Sequence, residues 1–470
     1  MKKFSLAIFL ALLTSPVWAT TYHLAPASGG GNDSNNGTST SAPWLTPNHA
    51  LNCGDTISAT PSTAYSASNF GAGKWGTVSC PAGNSVVWLT CATFDACKIN
   101  ASGQDGMRVT ASFWGVQGWE VTASNAACFT AAPSAGSTIH HIIFANNIAN
   151  GCSSNGFNTF NSGNASVDYI AVVANIAYNA AQGSSECFSG ISIYQPVESD
   201  SLAGTHIYVA GNFSYANFDP DPCGGVVPSD GEGIIFDTFD GSQGHLPQPY
   251  AAQAVAENNI LFMNGGRGIE VFNNNGSSSA AIYIRSNTVF GNNRDTHQNA
   301  SYCGEILTSS AKTVQTSLNL AVTNAANGCG NFPIYALYIG SGNGSDSISN
   351  NFAFSQQGTN TGVNNSSGFS FGSNTVGTSP GFPNAVDPGA PNCGAFASVP
   401  ACMATVISNF TPQAAGAAGM GRQSVQTQQA NNPQFPQWLC NTNLPAGLIT
   451  TACSTTALQP PTALKVTSVN

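Results

Sequence analysis

Only 7% of the 470 residues are charged, so a cluster of charges is informative. From Ser229 the chain reads S-D-G-E-G-I-I-F-D-T-F-D to Asp240, and from Ala256 it reads A-E-N-N-I-L-F-M-N-G-G-R-G-I-E-V-F to Phe272. Asp230, Glu232, Asp237, Asp240, Glu257, Arg267 and Glu270 all fall within this stretch. Two chemistries suit several carboxylates beside one cation. In the first, Asp230 and Asp237 hold a calcium ion that neutralises a sugar carboxylate. Arg267 or Glu270 then takes part in removing the adjacent ring proton, a β-elimination on a uronate-containing polymer. In the second, Asp237 works with Glu270 or Glu305 as the carboxylate pair of an inverting glycoside hydrolase. Tyr194 offers a platform for a sugar ring, and Glu232 and Glu305 are further candidates for substrate contact. Glu232 reads equally well as a turn residue, and Glu305 equally well as an ion-pair partner of Arg267. A third reading, from a different class, is a non-catalytic carbohydrate binder or adhesin.

These residues need strands to bring them together. Gly190–Tyr194, Gly233–Asp237, Gly268–Phe272 and Gly304–Thr308 are short β-rich runs. Alternation places Ile191, Ile234 and Ile269 inward, with Ser192, Tyr194, Ile235, Asp237, Glu270 and Phe272 on the opposite face. If these runs stack on successive coils, Asp237 and Glu270 are offset by two residues on neighbouring strands. Their Cα atoms then lie about 8 Å apart. A second periodic signal supports stacking. Asn followed by a strand-like run recurs at Asn147, Asn175, Asn212, Asn259, Asn287, Asn319 and Asn351, at intervals of 28, 37, 47, 28, 32 and 32 residues. Unequal spacing is what one coil plus loops of different length gives, and Asn at a repeated bend can bond its counterpart on the next coil. Glu257 and Arg285 each stand two residues before a ladder Asn, so they should meet as a salt bridge away from the site. The longest coil spends its excess on loops 214–231 and 238–252, which bracket the strand carrying Asp237.

The remaining chain sets the context. Residues 1–19 read as a secretory signal peptide, with Lys2 and Lys3 before an apolar run that is too short to span a membrane. Its removal takes the formal charge from −10 to −12, which disfavours nucleic acid and anionic membranes as partners. Fourteen cysteines in an exported chain favour disulfides. Neighbouring pairs are expected: Cys53/Cys80, Cys91/Cys97, Cys128/Cys152, Cys187/Cys223, Cys303/Cys329, Cys393/Cys402 and Cys440/Cys453. Residues 20–105 read as an N-terminal cap with the first coils, including a short helix over Trp44–Leu51. Residues 106–375 carry the coils and cleft, 376–456 an irregular wrap, and 457–470 a tail or linker. A secreted monomer with an extracellular polysaccharide as its partner is expected.

The cap, the Asn-apolar coils and the segments S-G-I-S-I-Y-Q-P, D-G-E-G-I-I-F-D and N-G-G-R-G-I-E-V-F together resemble the pectate-lyase-like superfamily over roughly residues 21 to 420. The resemblance implies an all-β, single-stranded right-handed parallel β-helix and activity on polysaccharides. Lyases of that style carry a clustered Asp calcium site and a Lys base. The position matching that Lys, after Gly268-Ile269, is Glu270 in this sequence.

Overall fold

The computed structural model describes residues 19–80, 85–160, 165–183, 187–220, 230–241, 249–273, 279–295, 303–309, 313–323, 335–340, 346–356, 363–365, 370–422 and 434–445. Its strands are short and rich in β-branched and aromatic residues, and all the pairings among them are parallel. Each coil contributes one strand to each of three sheets. A representative coil runs through Thr205–Ala210, Phe213–Tyr215 and Ile234–Asp237. The next runs through Gln253–Glu257, Ile260–Phe262 and Ile269–Phe272. Among the described residues the three sheets hold twelve, eleven and nine strands. This is a right-handed parallel β-helix, the hand that parallel crossovers favour.

The interior is filled by stacked apolar rows. Ile191, Ile234, Ile269 and Ile306 occupy paired positions on four successive coils, and all are fully buried. Each removes most of an aliphatic side chain from water, worth about 2 kcal/mol apiece.

All seven expected asparagines form one ladder, and Asn374 extends it. The Asn147 Nδ2 group donates to Asn175 Oδ1 at 3.2 Å, and the relation repeats to Asn351, which donates to Asn374 at 3.0 Å. The left-handed bend does not fall on the ladder asparagines themselves. It falls one residue earlier, at Asn146, Ala174, Asn258, Ser286, Leu318 and Asn350, with φ between 52° and 58°. The ladder side chain must point inward to satisfy backbone groups, so the residue before it absorbs the turn.

The expected helix over Trp44–Leu51 does not form. Trp44 bridges to Leu24 instead, and its ring stacks on Tyr22 and His49. The Asp33 carboxylate accepts from the Leu45 and Thr46 backbone N–H groups, which holds an open turn. Pro47 in the middle of the stretch can donate no helical hydrogen bond. Four of the expected disulfides are present: Cys53–Cys80, Cys91–Cys97, Cys128–Cys152 and Cys393–Cys402. Cys187, Cys303 and Cys440 are also disulfide-bonded, while Cys223, Cys329 and Cys453 lie outside the described residues. So do residues 1–18 of the expected signal peptide and the whole of 457–470.

The C-terminal chain returns over two of the three sheets. Val399, Met403, Val406 and Phe410 pack on the outward residues Phe213, Phe262 and Phe290 of the eleven-stranded sheet. Phe435, Trp438 and Leu439 pack on Ile143, Tyr169 and Tyr208 of the twelve-stranded sheet. The outer face of the nine-stranded sheet receives no such cover among the described residues, and the acidic residues singled out above are carried by this sheet and the bends that lead into it.

Candidate functional site

Strand Ile234–Asp237 lies between Ile191–Tyr194 and Ile269–Phe272. Ser192, Ile235 and Glu270 are paired across these three strands, and so are Tyr194, Asp237 and Phe272. Asp237 and Glu270 therefore stand diagonally, offset by two residues. Gly268 lets the chain enter this sheet closely packed, because a Cβ there would lie 2.0 Å from Val289 Cγ1.

Arg267 organises the buried charges. Its Nη1 lies 3.1 Å from Glu232 Oε1 and 3.4 Å from Glu270 Oε2. All three side chains are buried. Glu232 also accepts from Ser189 Oγ at 2.8 Å, and its backbone carbonyl accepts from Gly190 N–H. Burial pushes the Glu270 carboxyl well above the usual carboxylate range against the pull of Arg267, and Glu232 adds to the rise. Asp230, at the bend before the strand, is likewise pushed well up by burial, then by Glu232, Asp237 and Glu270. The structure thus brings Asp230, Glu232, Asp237, Arg267 and Glu270 into one electrostatic unit.

Asp237 differs from its neighbours in facing open space. It lies on the wall of a cavity of about 520 Å³, together with Tyr194, Ser192, Asn158, Thr130 and Arg108. One carboxylate oxygen accepts from Thr238 Oγ1 at 2.6 Å. Burial raises its pKa to about 7, with help from Glu232 and Asp240 and opposition from Thr238. Tyr194 occupies the paired position on the preceding coil, and burial and the charge of Asp237 push its phenol up. Phe160 lines the same cavity and is 43% exposed.

Glu305 is placed elsewhere. The register pairs Ile269 with Ile306, so Glu305 stands level with Gly268, not Glu270. A one-residue shift turns a side chain to the opposite face. Glu305 is fully buried and accepts from Asn292 N–H and from Asn292 Nδ2 at 2.6 Å. It caps a second internal ladder, in which Asn217 donates to Asn264 and Asn264 to Asn292. It contacts neither the cleft nor Arg267. The sequence does carry a signal for this second ladder, since each member lies five residues after a member of the first, as in Asn212/Asn217 and Asn259/Asn264. Arg108, Thr130, Asn158 and Phe160 were not anticipated, because they come from coils remote in sequence and only the register aligns them with Asp237.

Glu257 and Arg285 do meet, at 2.7 Å, on paired positions of the twelve-stranded sheet. They are buried there with Tyr208 and Gln434, apart from the cleft.

A calcium site needs roughly six to eight oxygen ligands. Among the described residues no three His, Cys, Asp or Glu side chains converge in a metal-holding group. Asp230 and Asp237, the expected ligands, are both carboxyls whose surroundings favour the protonated form. That donor set does not fit a calcium ion.

No protein-family model matches the chain, and no curated protein matches it. Among solved structures it is similar to the Azotobacter vinelandii mannuronan C-5 epimerase AlgE6 A-module, at 15% identity over 69% of this chain and 91% of that one, with a TM-score of 0.35. It is also similar to the catalytic unit of a GH87 α-1,3-glucanase from Streptomyces thermodiastaticus, at 12% identity over 77% and 69%, with a TM-score of 0.37. A third similarity is to the Dettilon tailspike protein, at 10% identity over 68% and 62%, with a TM-score of 0.35. At these values the likeness carries nothing about what this chain binds or does.

Proposed function

We propose that this chain is an exported enzyme that cleaves an extracellular polysaccharide laid along the nine-stranded sheet, with Asp237 protonating the departing glycosidic oxygen. One observation carries the reading: a carboxyl on a cleft wall with a pKa of about 7. Near neutrality such a group holds its proton about half the time and gives it up readily, which is what a general acid requires. The exposed ring of Phe160 and the hydroxyl and amide side chains of the same cavity suit a sugar chain. Disulfides support export to an oxidising compartment.

The reaction favoured here is hydrolysis. It asks for a carboxylic acid at the scissile bond, and the cleft supplies one. Elimination also needs the substrate carboxylate neutralised, and Arg267 is already engaged by Glu232 and Glu270. A second reading, elimination on a uronate polymer, draws support from Tyr194, whose phenol stands beside Asp237 in register and is of a type that exchanges protons. No step in either reading is routed through the expected calcium ion.

Incubation with a polysaccharide panel tests the proposal. Hydrolysis yields new reducing ends without ultraviolet-absorbing unsaturated products; appearance of those products instead selects elimination. Asp237→Asn should lower kcat by about a hundredfold or more while binding persists. Unchanged turnover in that variant removes Asp237 from the chemistry, and binding with no cleavage across the panel leaves only a carbohydrate binder.

A further inference from the structure

Four outward side chains on the N-terminal coils continue the row that ends beside Asp237. Arg108 pairs with Thr130, Thr130 with Asn158, Asn158 with Ser192, and Ser192 with Ile235. The strands involved are Met107–Val109, Phe129–Ala131, Phe157–Thr159, Ile191–Tyr194 and Ile234–Asp237. With about 4.8 Å per coil, Arg108 is roughly 19 Å from the coil of Asp237. The cavity at Asp237 reaches it, and a neighbouring cavity of about 590 Å³ shares Asp105, Arg108, Ala127, Ser154 and Phe188 with the first. The two form one groove along the helix axis.

Three members of the row hold buried polar atoms that no protein group satisfies: Arg108 Nε, Thr130 Oγ1 and Asn158 Oδ1. Thr130 is itself only 2% exposed, and it lines the cavity. Unpaired buried polar atoms cost about 1–3 kcal/mol each, so a row of them facing one groove is better explained by a ligand that completes them than by packing. Arg108 is the one cationic side chain lining either cavity among the described residues. Its nearest carboxylate partner, Asp105 Oδ2, is 3.8 Å away, beyond hydrogen-bond length. Asp105 is also occupied by the Ala127 N–H, and burial pushes its carboxyl up, which weakens its hold on Arg108.

We infer that this groove is an extended saccharide subsite whose far end, at Arg108, receives an anionic substituent of the chain, a carboxylate or a sulfate ester. The guanidinium presents a forked donor to an oxyanion, Thr130 and Asn158 meet hydroxyls of the intervening units, and Phe160 offers a ring to a sugar face. The coil spacing is close to the advance of one sugar per unit in an extended chain, so consecutive sugars can meet consecutive rungs. The inference rests on the reading that a saccharide lies along this sheet, and it narrows the substrate to acidic polysaccharides.

Affinity electrophoresis of the purified full chain in native gels tests it, with polygalacturonate, dextran sulfate or unsubstituted dextran in the matrix. At least one acidic polymer should retard the protein more than dextran does, and salt should weaken the retardation. Arg108→Ala should raise the dissociation constant for that polymer at least roughly tenfold, and Arg108→Lys should lose less. Which acidic polymer responds distinguishes carboxylate from sulfate. Equal retardation by dextran, no retardation by either acidic polymer, or an unchanged constant in Arg108→Ala overturns the inference. Thermal melting of each variant checks the fold, and Arg108→Lys carries the comparison if Arg108→Ala melts early. Asp237→Asn keeps the two proposals apart: if it cleaves normally while Arg108 still governs retardation, the acid assignment fails and the subsite stands.

Discussion

Replacing Arg267 by leucine would leave Glu232 and Glu270 facing each other in a buried site with no positive charge between them. Breaking a buried ion pair from one side costs about 3–5 kcal/mol, much more than losing a surface contact. Arg267→Leu should therefore lower the denaturation midpoint sharply, whether or not substrate is present. A full loss of activity with an unchanged midpoint would instead give Arg267 a direct catalytic part. Asp237 predicts a different signature. A proton donor works only while protonated, so activity should fall as pH rises through about 7. That limb should be absent from the residual activity of Asp237→Asn. The grouping of Asp237, Arg267 and Glu270 was legible in the sequence because charge is so scarce and strand alternation sets their side. Glu305 was not. Its rung could be read, but a slip of one residue decides between cleft and interior, and only the pairing of Ile269 with Ile306 fixes it.

At the scale of the element, the coils are held in register by asparagines as much as by the apolar rows. Asn259 donates to Val209 O and to Asn287 Oδ1, and its own Oδ1 accepts the N–H and Nδ2 groups of Asn212. Asn259→Ala would strand all of these partners in the interior, at about 1–3 kcal/mol for each group left unsatisfied, with some relief from relaxation. The expected loss is roughly 3 kcal/mol or more, read from the midpoint in guanidinium chloride. A loss below about 1 kcal/mol would mean that water enters the bend and replaces the side chain. The ladder itself could be found from spacing, because one coil must return the same residue to the same bend. The left-handed bend residues could not be found, since Asn146, Ala174, Ser286 and Leu318 share no side-chain property. Their conformation is imposed by the asparagine that follows. The same reasoning explains the lost helix at Trp44. Local pattern favoured it, yet stacking between Tyr22 and His49 and the turn held by Asp33 won.

For the whole molecule, two sheets are sealed by the returning C-terminal chain, and the third keeps its buried carboxyls near one open face. That arrangement fixes how stability must depend on pH. Asp230 and Glu270 are raised, Asp237 to about 7 and Glu305 to about 8, all chiefly by burial. In the unfolded chain each titrates near about 4. Between those limits the folded protein holds protons that the unfolded chain has released, so stability is greatest at the acidic end and declines as pH rises through 7 and 8. His206, raised by its Asp168 partner, has the same sign above its unfolded value. His141 opposes: burial lowers it to about 3, so its contribution is lost as pH falls from about 6.5. Asp168, held low by His206 and Ser199 against the cost of burial, adds a loss below about 4. Four carboxyls outweigh one imidazole in the window from 5 to 8. The melting temperature should therefore be higher at pH 5 than at pH 8. Glu305→Gln should flatten the decline at the upper end, because a neutral amide at that position has no proton to lose. A melting temperature that rises with pH across this window would mean that the folded protein holds these carboxyls ionised. The proton assigned to Asp237 would then be missing where cleavage needs it.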